Sequence, residues 1–226
     1  MKPLVLQMSG TYVEERFTDW LLGVADGAQI VDLSGVDGTS CYCDDAAREV
    51  IESALPASLP GLRWLDSGDY HYLTHILALR EKEPFSLVLL DNHPDDKEPA
   101  FDGMLSCGGW VKAMKEENPM LEDVLTIGPE GCPRGIPEGW GGARRLYISL
   151  DKDIMGRKWA RTDWSQGAYS LHEVKDMLGK LFNMARIAAI DICGELSPSK
   201  GATAEDLTIN FETNKELYNY ITKHLN

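Results

Sequence analysis

Two short apolar runs that each end abruptly in acidic side chains constrain this chain most. Ser86-Leu87-Val88-Leu89-Leu90 leads into Asp91-Asn92-His93-Pro94-Asp95, and Leu146-Tyr147-Ile148-Ser149-Leu150 leads into Asp151-Lys152-Asp153. Runs of this length with almost no polar interruption read as strands buried on both faces, the kind found in parallel sheets. Open α/β sheets place their ligand sites just beyond the carboxyl ends of such strands. Side chains at i, i+2 and i+4 of an extended segment point to one side. Asp91, His93 and Asp95 therefore converge, as do Asp151 and Asp153. Four carboxylates gathered without a cation would repel one another, and some would take up protons. A divalent ion removes that conflict, and the set is large enough for two ions that share bridging carboxylates. Oxygen-rich ligation with one or two imidazoles suits Mn²⁺, although residue types alone leave the metal open. A single Asp-x-His-x-Asp is also compatible with a polar exit from a strand, and it is the pairing of two motifs that favours a metal site.

The rest of the chain repeats the same alternation. Candidate strands at 3–8, 28–33, 62–65, 86–91, 124–127, 145–151 and 187–192 are separated by helical patterns at 13–25, 44–54, 72–82, 109–116 and 171–184, with an amphipathic helix over 205–225 at the end. Repeated βα units predict an α/β fold with a mainly parallel sheet. No shift in composition divides the 226 residues, so a single domain over 1–226 is expected. Ser170-Leu171-His172-Glu173 has the capping-box pattern, which assigns His172 to a helix start. Residues 128–143 are rich in Gly and Pro and read as a long surface loop, and the 154–168 segment is expected at the mouth of the site.

A net charge of −14 argues against nucleic acid or an anionic membrane as partner, and it would attract a cationic small molecule. No apolar stretch is long enough for a membrane span, and the N-terminus turns polar too soon for a signal peptide, so a cytoplasmic location is expected. Cys41, Cys43, Cys107, Cys132 and Cys193 form no Cys-x-x-Cys pair and are odd in number, which suits reduced thiols.

The motifs as a set, in this order, resemble those of the ureohydrolases (arginase, agmatinase and formimidoylglutamase) of the arginase/deacetylase superfamily. They are Gly68-Asp69-Tyr70-His71-Tyr72-Leu73-Thr74, Asp91 to Asp95, Ser149 to Asp153, and Glu195-Leu196-Ser197-Pro198. The resemblance implies an arginase-like three-layer α-β-α domain and two divalent metal ions, Mn²⁺ in the first instance. Asp91 and Asp151 would bridge the ions, His71 and Asp95 would complete one sphere, and His93 and Asp153 the other. It further implies cleavage of a C–N bond in a linear guanidino or amidino compound by a hydroxide shared between the ions. Glu195 would grip the cationic head of that substrate. A homo-oligomer remains open.

The chain departs from the family pattern in the loop that should carry a catalytic histidine. Residues 102–110 read Asp102-Gly103-Met104-Leu105-Ser106-Cys107-Gly108-Gly109-Trp110, with no histidine between His93 and His172. Asp95 is then the remaining candidate to relay a proton to the leaving amine. Two alternatives stay open at this point. One is a deacetylase-like amidohydrolase with a single zinc ion, for which Asp95 and Asp153 would be superfluous. The other is a metal-binding relative without turnover.

Overall fold

A computed structural model describes residues 2–99, 103–140 and 144–225. Seven strands form one sheet: β1 (Pro3–Gln7), β2 (Gln29–Asp32), β4 (Leu62–Trp64), β5 (Phe85–Leu90), β7 (Leu121–Ile127), β8 (Arg145–Asp151) and β9 (Arg186–Cys193). Their order across the sheet is β2-β1-β4-β9-β8-β5-β7, and all the pairings are parallel. All seven correspond to the predicted strands. Two short strands outside the sheet, β3 (Tyr42–Cys43) and β6 (Leu105–Ser106), pair antiparallel and were not expected.

The helices cover both faces. On one side lie α2 (Phe17–Val24), α6 (Leu171–Met184) and α7 (Ala204–Leu225). There Phe17, Leu21, Val174, Leu178, Leu217 and Ile221 pack against Val88, Leu90, Ile148, Leu150 and Ile190. On the other side, α3 (Asp45–Ala54), α4 (Leu73–Ala78) and α5 (Trp110–Glu117) place Ile51, Leu73, Leu77, Trp110 and Met114 against Leu87, Leu89, Tyr147 and Ala189. Neighbours along one strand thus enter opposite cores, as the two-residue period of a strand requires. The predicted helix over 13–25 is instead two helices, α1 (Thr11–Glu14) and α2. Arg16 between them has φ 60, in the left-handed region that an α-helix cannot contain. The capping box at α6 is formed, with Glu173 N–H donating to Ser170 Oγ and Ser170 N–H donating to Glu173.

Register fixes what meets at the carboxyl edge. Leu90 pairs with Leu150 and Asp151 with Cys193, so the residues leaving β5, β8 and β9 lie side by side. Among the described residues, no helix is long and apolar enough to cross a membrane.

Candidate metal centre

His71 follows a short 3-10 helix, Gly68–Tyr70, that leaves the end of β4, and this turn swings the imidazole over the carboxyl edge of the sheet. Its Nε2 lies 2.7 Å from Ser149 Oγ on β8. That contact orients the ring so that Nδ1 faces three carboxylates: Asp95 Oδ2 at 3.1 Å, Asp91 Oδ2 at 3.2 Å and Asp151 Oδ2 at 3.6 Å. His93 repeats the arrangement. Its Nε2 lies 2.9 Å from Ser165 Oγ, and its Nδ1 lies 2.8 Å from Asp153 Oδ2 and 3.5 Å from Asp91 Oδ1. Each imidazole thus has a serine behind it and carboxylates in front, the geometry by which an outer hydrogen bond aims a metal-binding ring.

Asp91 joins the two halves. Oδ2 points toward His71, whereas Oδ1 accepts the His93 amide at 2.6 Å and faces the His93 ring. Two groups of potential ligands result, His71–Asp91–Asp95 and Asp91–His93–Asp153, with Asp91 common to both. Asp151 falls with the His71 side. Its Oδ1 accepts the Asp153 amide at 2.8 Å, while Oδ2 faces His71 and Cys193. All six residues expected from the sequence as ligands are therefore gathered at one edge of the sheet, and of the two expected bridges Asp91 is the one that spans both groups.

The donor set fits divalent cations. His71 Nδ1 and Asp91 Oδ2 are buried and without a hydrogen-bond partner, an unusual condition for polar atoms at the centre of a domain. Burial, and then the charge of Asp153, pushes the Asp151 carboxyl up to about 7; burial, and then Asp91, does the same to Asp153. Asp91 is raised as well, by burial first and Asp95 second. Hydrogen bonding to Asp153 and to Asp91 lifts His93 to about 10. The site draws protons because it holds excess negative charge in a poorly solvated place, and a cation satisfies the same need.

Asp91, His93, Asp95, Asp151 and Asp153 open into a cavity whose wall is completed by Gly68, Lys97, Cys107, Gly108 and Trp164. Asp95 has φ 48 and accepts the Trp110 indole N–H at 2.7 Å, so a left-handed backbone and an indole together set its carboxylate. Trp164 Nε1 donates to Asp69 Oδ1 at 2.9 Å, which fixes the indole of the 154–168 segment at the mouth. Of the loop that carries no histidine, Cys107 and Gly108 reach the cavity, and Asp102 lies outside the described residues. Residues 141–143 of the Gly/Pro-rich segment likewise lie outside them.

Glu195, expected to grip the cationic head of a substrate, lies two residues beyond the end of β9, with its Oε2 buried and without a hydrogen-bond partner. It is fully buried, is ion-paired with Lys152, accepts a hydrogen bond from Asn214 Nδ2 at 2.8 Å, and is not part of the cavity wall. Lys152 sits between the two acidic residues of the second motif, at the start of the short 3-10 helix Lys152–Ile154, and its ammonium reaches Asn214 of α7. Cys193 and Trp110 were missed because only register and tertiary contact bring them to the site.

No family model matches the sequence. A protein of Thermotoga maritima, described only as uncharacterized, is 30% identical over 207 residues, covering 86% of this chain and 80% of its own. Proclavaminate amidino hydrolase from Streptomyces clavuligerus superposes with a TM-score of 0.70 at 18% identity, covering 100% of this chain and 92% of that one. Formimidoylglutamase from Bacillus subtilis does so with 0.66 at 13% identity, over 99% and 87% of the two chains. A hypothetical agmatinase from Burkholderia thailandensis gives 0.64 at 12% identity, over 99% and 86%. The chain belongs to the family of the Thermotoga maritima protein, and its fold is that of the arginase, agmatinase and formimidoylglutamase group.

Proposed function

We propose that this protein is a binuclear metal-dependent hydrolase that cleaves a C–N bond of a small guanidino or amidino compound, acting as a single domain in the cytoplasm. The observation that carries this reading is the sharing of Asp91 between two imidazole–carboxylate groups. His71, Asp91, Asp95 and Asp151 would hold one ion, and Asp91, His93 and Asp153 the other. Mn²⁺ suits such oxygen and imidazole donors. When bound, such ions supply a water nucleophile at neutral pH and Lewis-acid stabilisation of the charge that develops at the attacked carbon.

The chain's own residues supply the rest. Trp164 and Gly68 narrow the space beside Asp151, since a Cβ at Gly68 would lie 2.8 Å from Trp164 Cδ1 and 3.2 Å from Asp151 Oδ2. Asp95, held by Trp110, stands where a carboxylate can take a proton and return it to the departing amine. With Glu195 engaged by Lys152, the cavity wall at Lys97, Cys107, Gly108 and Trp164 is left to select the substrate.

The test is a screen of metal-loaded protein for amine and urea release from linear guanidino and amidino compounds, run beside acetylated amines. Release from the amidine group at two bound ions per chain supports the proposal. Activity confined to acetylated amines with one zinc ion, unaffected by Asp153→Ala, supports the deacetylase-like alternative.

A further inference from the structure

Cys193 ends β9, where register sets it directly beside Asp151 of β8. Its Sγ lies 3.2 Å from Asp151 Oδ2. With His71 Nδ1 these atoms form a third group of potential ligands, all within 4.8 Å of one another and all buried. Cys193 is also a member of one hydrophobic core, where a cysteine can serve simply as a small apolar filler. Its thiol nevertheless turns out of that core, donating to the Asp151 carboxylate beside His71, whose buried Nδ1 has no hydrogen-bond partner. The backbone is shaped to the same end. Gly194 has φ 91, and a Cβ there would lie 2.2 Å from Asp151 Oδ1, so the chain after Cys193 turns tightly against that carboxylate.

We propose that Cys193 is a thiolate ligand of the ion held by His71, Asp91, Asp95 and Asp151, and that this position therefore takes zinc, cobalt(II) or iron(II) in preference to manganese. The inference rests on the reading that His71 holds an ion. On binding, the S–H bond breaks, a sulfur–metal bond forms and the proton leaves to solvent, as thiolate ligation requires. Thiolate favours the softer ions, whereas the set of Asp91, His93 and Asp153 offers only nitrogen and oxygen. The two positions then differ in metal preference while sharing Asp91.

The experiment is a titration of the chelator-stripped full-length chain with cobalt(II), followed by absorption. The expected result is a near-ultraviolet sulfur-to-cobalt charge-transfer band that saturates with the first ion bound. It persists in Cys41→Ser and Cys107→Ser and disappears in Cys193→Ser, which still binds cobalt. Zinc affinity of the first position should fall in Cys193→Ser by at least the roughly 10–100-fold that loss of a supporting partner costs a metal site, with manganese affinity nearly unchanged. Cobalt bound to the wild-type protein without the band, or a band that survives Cys193→Ser, overturns the assignment of Cys193 and leaves the binuclear reading standing. A wild-type chain that binds no cobalt overturns both.

Discussion

The Lys152 ammonium and the Glu195 carboxylate form an ion pair that is fully buried beside Asp151, at the carboxyl end of β8. Lys152 also donates to Asn214 Oδ1 at 3.2 Å, and Asn214 Nδ2 reaches Glu15 Oε2 at 3.2 Å. Burial, followed by the charge of Glu195, raises Glu15 well above the usual carboxylate range, and Glu195 is the carboxylate that pairs with the Lys152 cation. This balance explains how Lys152 can lie between Asp151 and Asp153 without adding charge to the site.

Breaking that pair from one side should be costly. Glu195→Gln or Lys152→Met leaves an uncompensated buried charge, and each is expected to lower unfolding stability by about 3–5 kcal/mol. Denaturant unfolding of the single variants and of a combined Lys152→Met/Glu195→Gln variant provides the measurement, and the combined change should cost less than the two single losses added together. A Glu195→Gln protein of unchanged stability that has lost turnover would return this residue to substrate recognition.

Gly194→Ala should weaken metal binding. The substitution places a Cβ against Asp151 Oδ1 and requires a left-handed backbone at a non-glycine residue, a strain on the order of 1–3 kcal/mol. Calorimetric titration should show reduced affinity at the His71 position, with less effect at the His93 position. Equal affinities in variant and wild type would mean that Asp151 moves aside without consequence for the ion.

Stability of the metal-free protein should fall as pH rises. Asp151 and Asp153 keep their protons up to about 7 in the native state, against an ordinary value of 3.8, chiefly through burial. The native state then binds more protons than the unfolded chain between those values, so stability decreases with pH through that window. His93 adds to the trend. Hydrogen bonding to Asp153 and Asp91 lifts it from 6.5 to about 10, and its contribution is present in full below the former value and is lost as pH climbs to the latter. Divalent metal competes for the same groups, so its stabilising effect should grow over the same range. Thermal melts across this range with and without metal test the sign, and a metal-free melting temperature that climbs with pH would contradict it.

The seven sheet strands were legible because they depend on local patterns, apolar runs of strand length, whereas Asp91, His93, Asp95 and Asp153 come together through bends, a left-handed residue and a 3-10 helix rather than through extended backbone. The break at Arg16 was hidden because helical periodicity runs through it, and the reversal depends on one left-handed residue. The two-residue strands Tyr42–Cys43 and Leu105–Ser106 are too short to carry any period. Cys193 enters the site through its register with Asp151, 42 residues away in sequence. Glu195 was assigned from its neighbours in the chain, and the cation that captures it, Lys152, comes from another motif.

Asp91 is common to the two candidate ligand groups built on His71 and His93, and metal stoichiometry tests the proposed shared-carboxylate centre most directly. Elemental analysis of metal-loaded protein after removal of free ions should give about two divalent ions per chain for the wild type. Asp153→Ala should give about one, and Asp91→Asn fewer than one, because its loss disturbs both groups. A wild-type chain that holds a single ion, or an Asp91→Asn variant that keeps two, would contradict the shared-carboxylate centre.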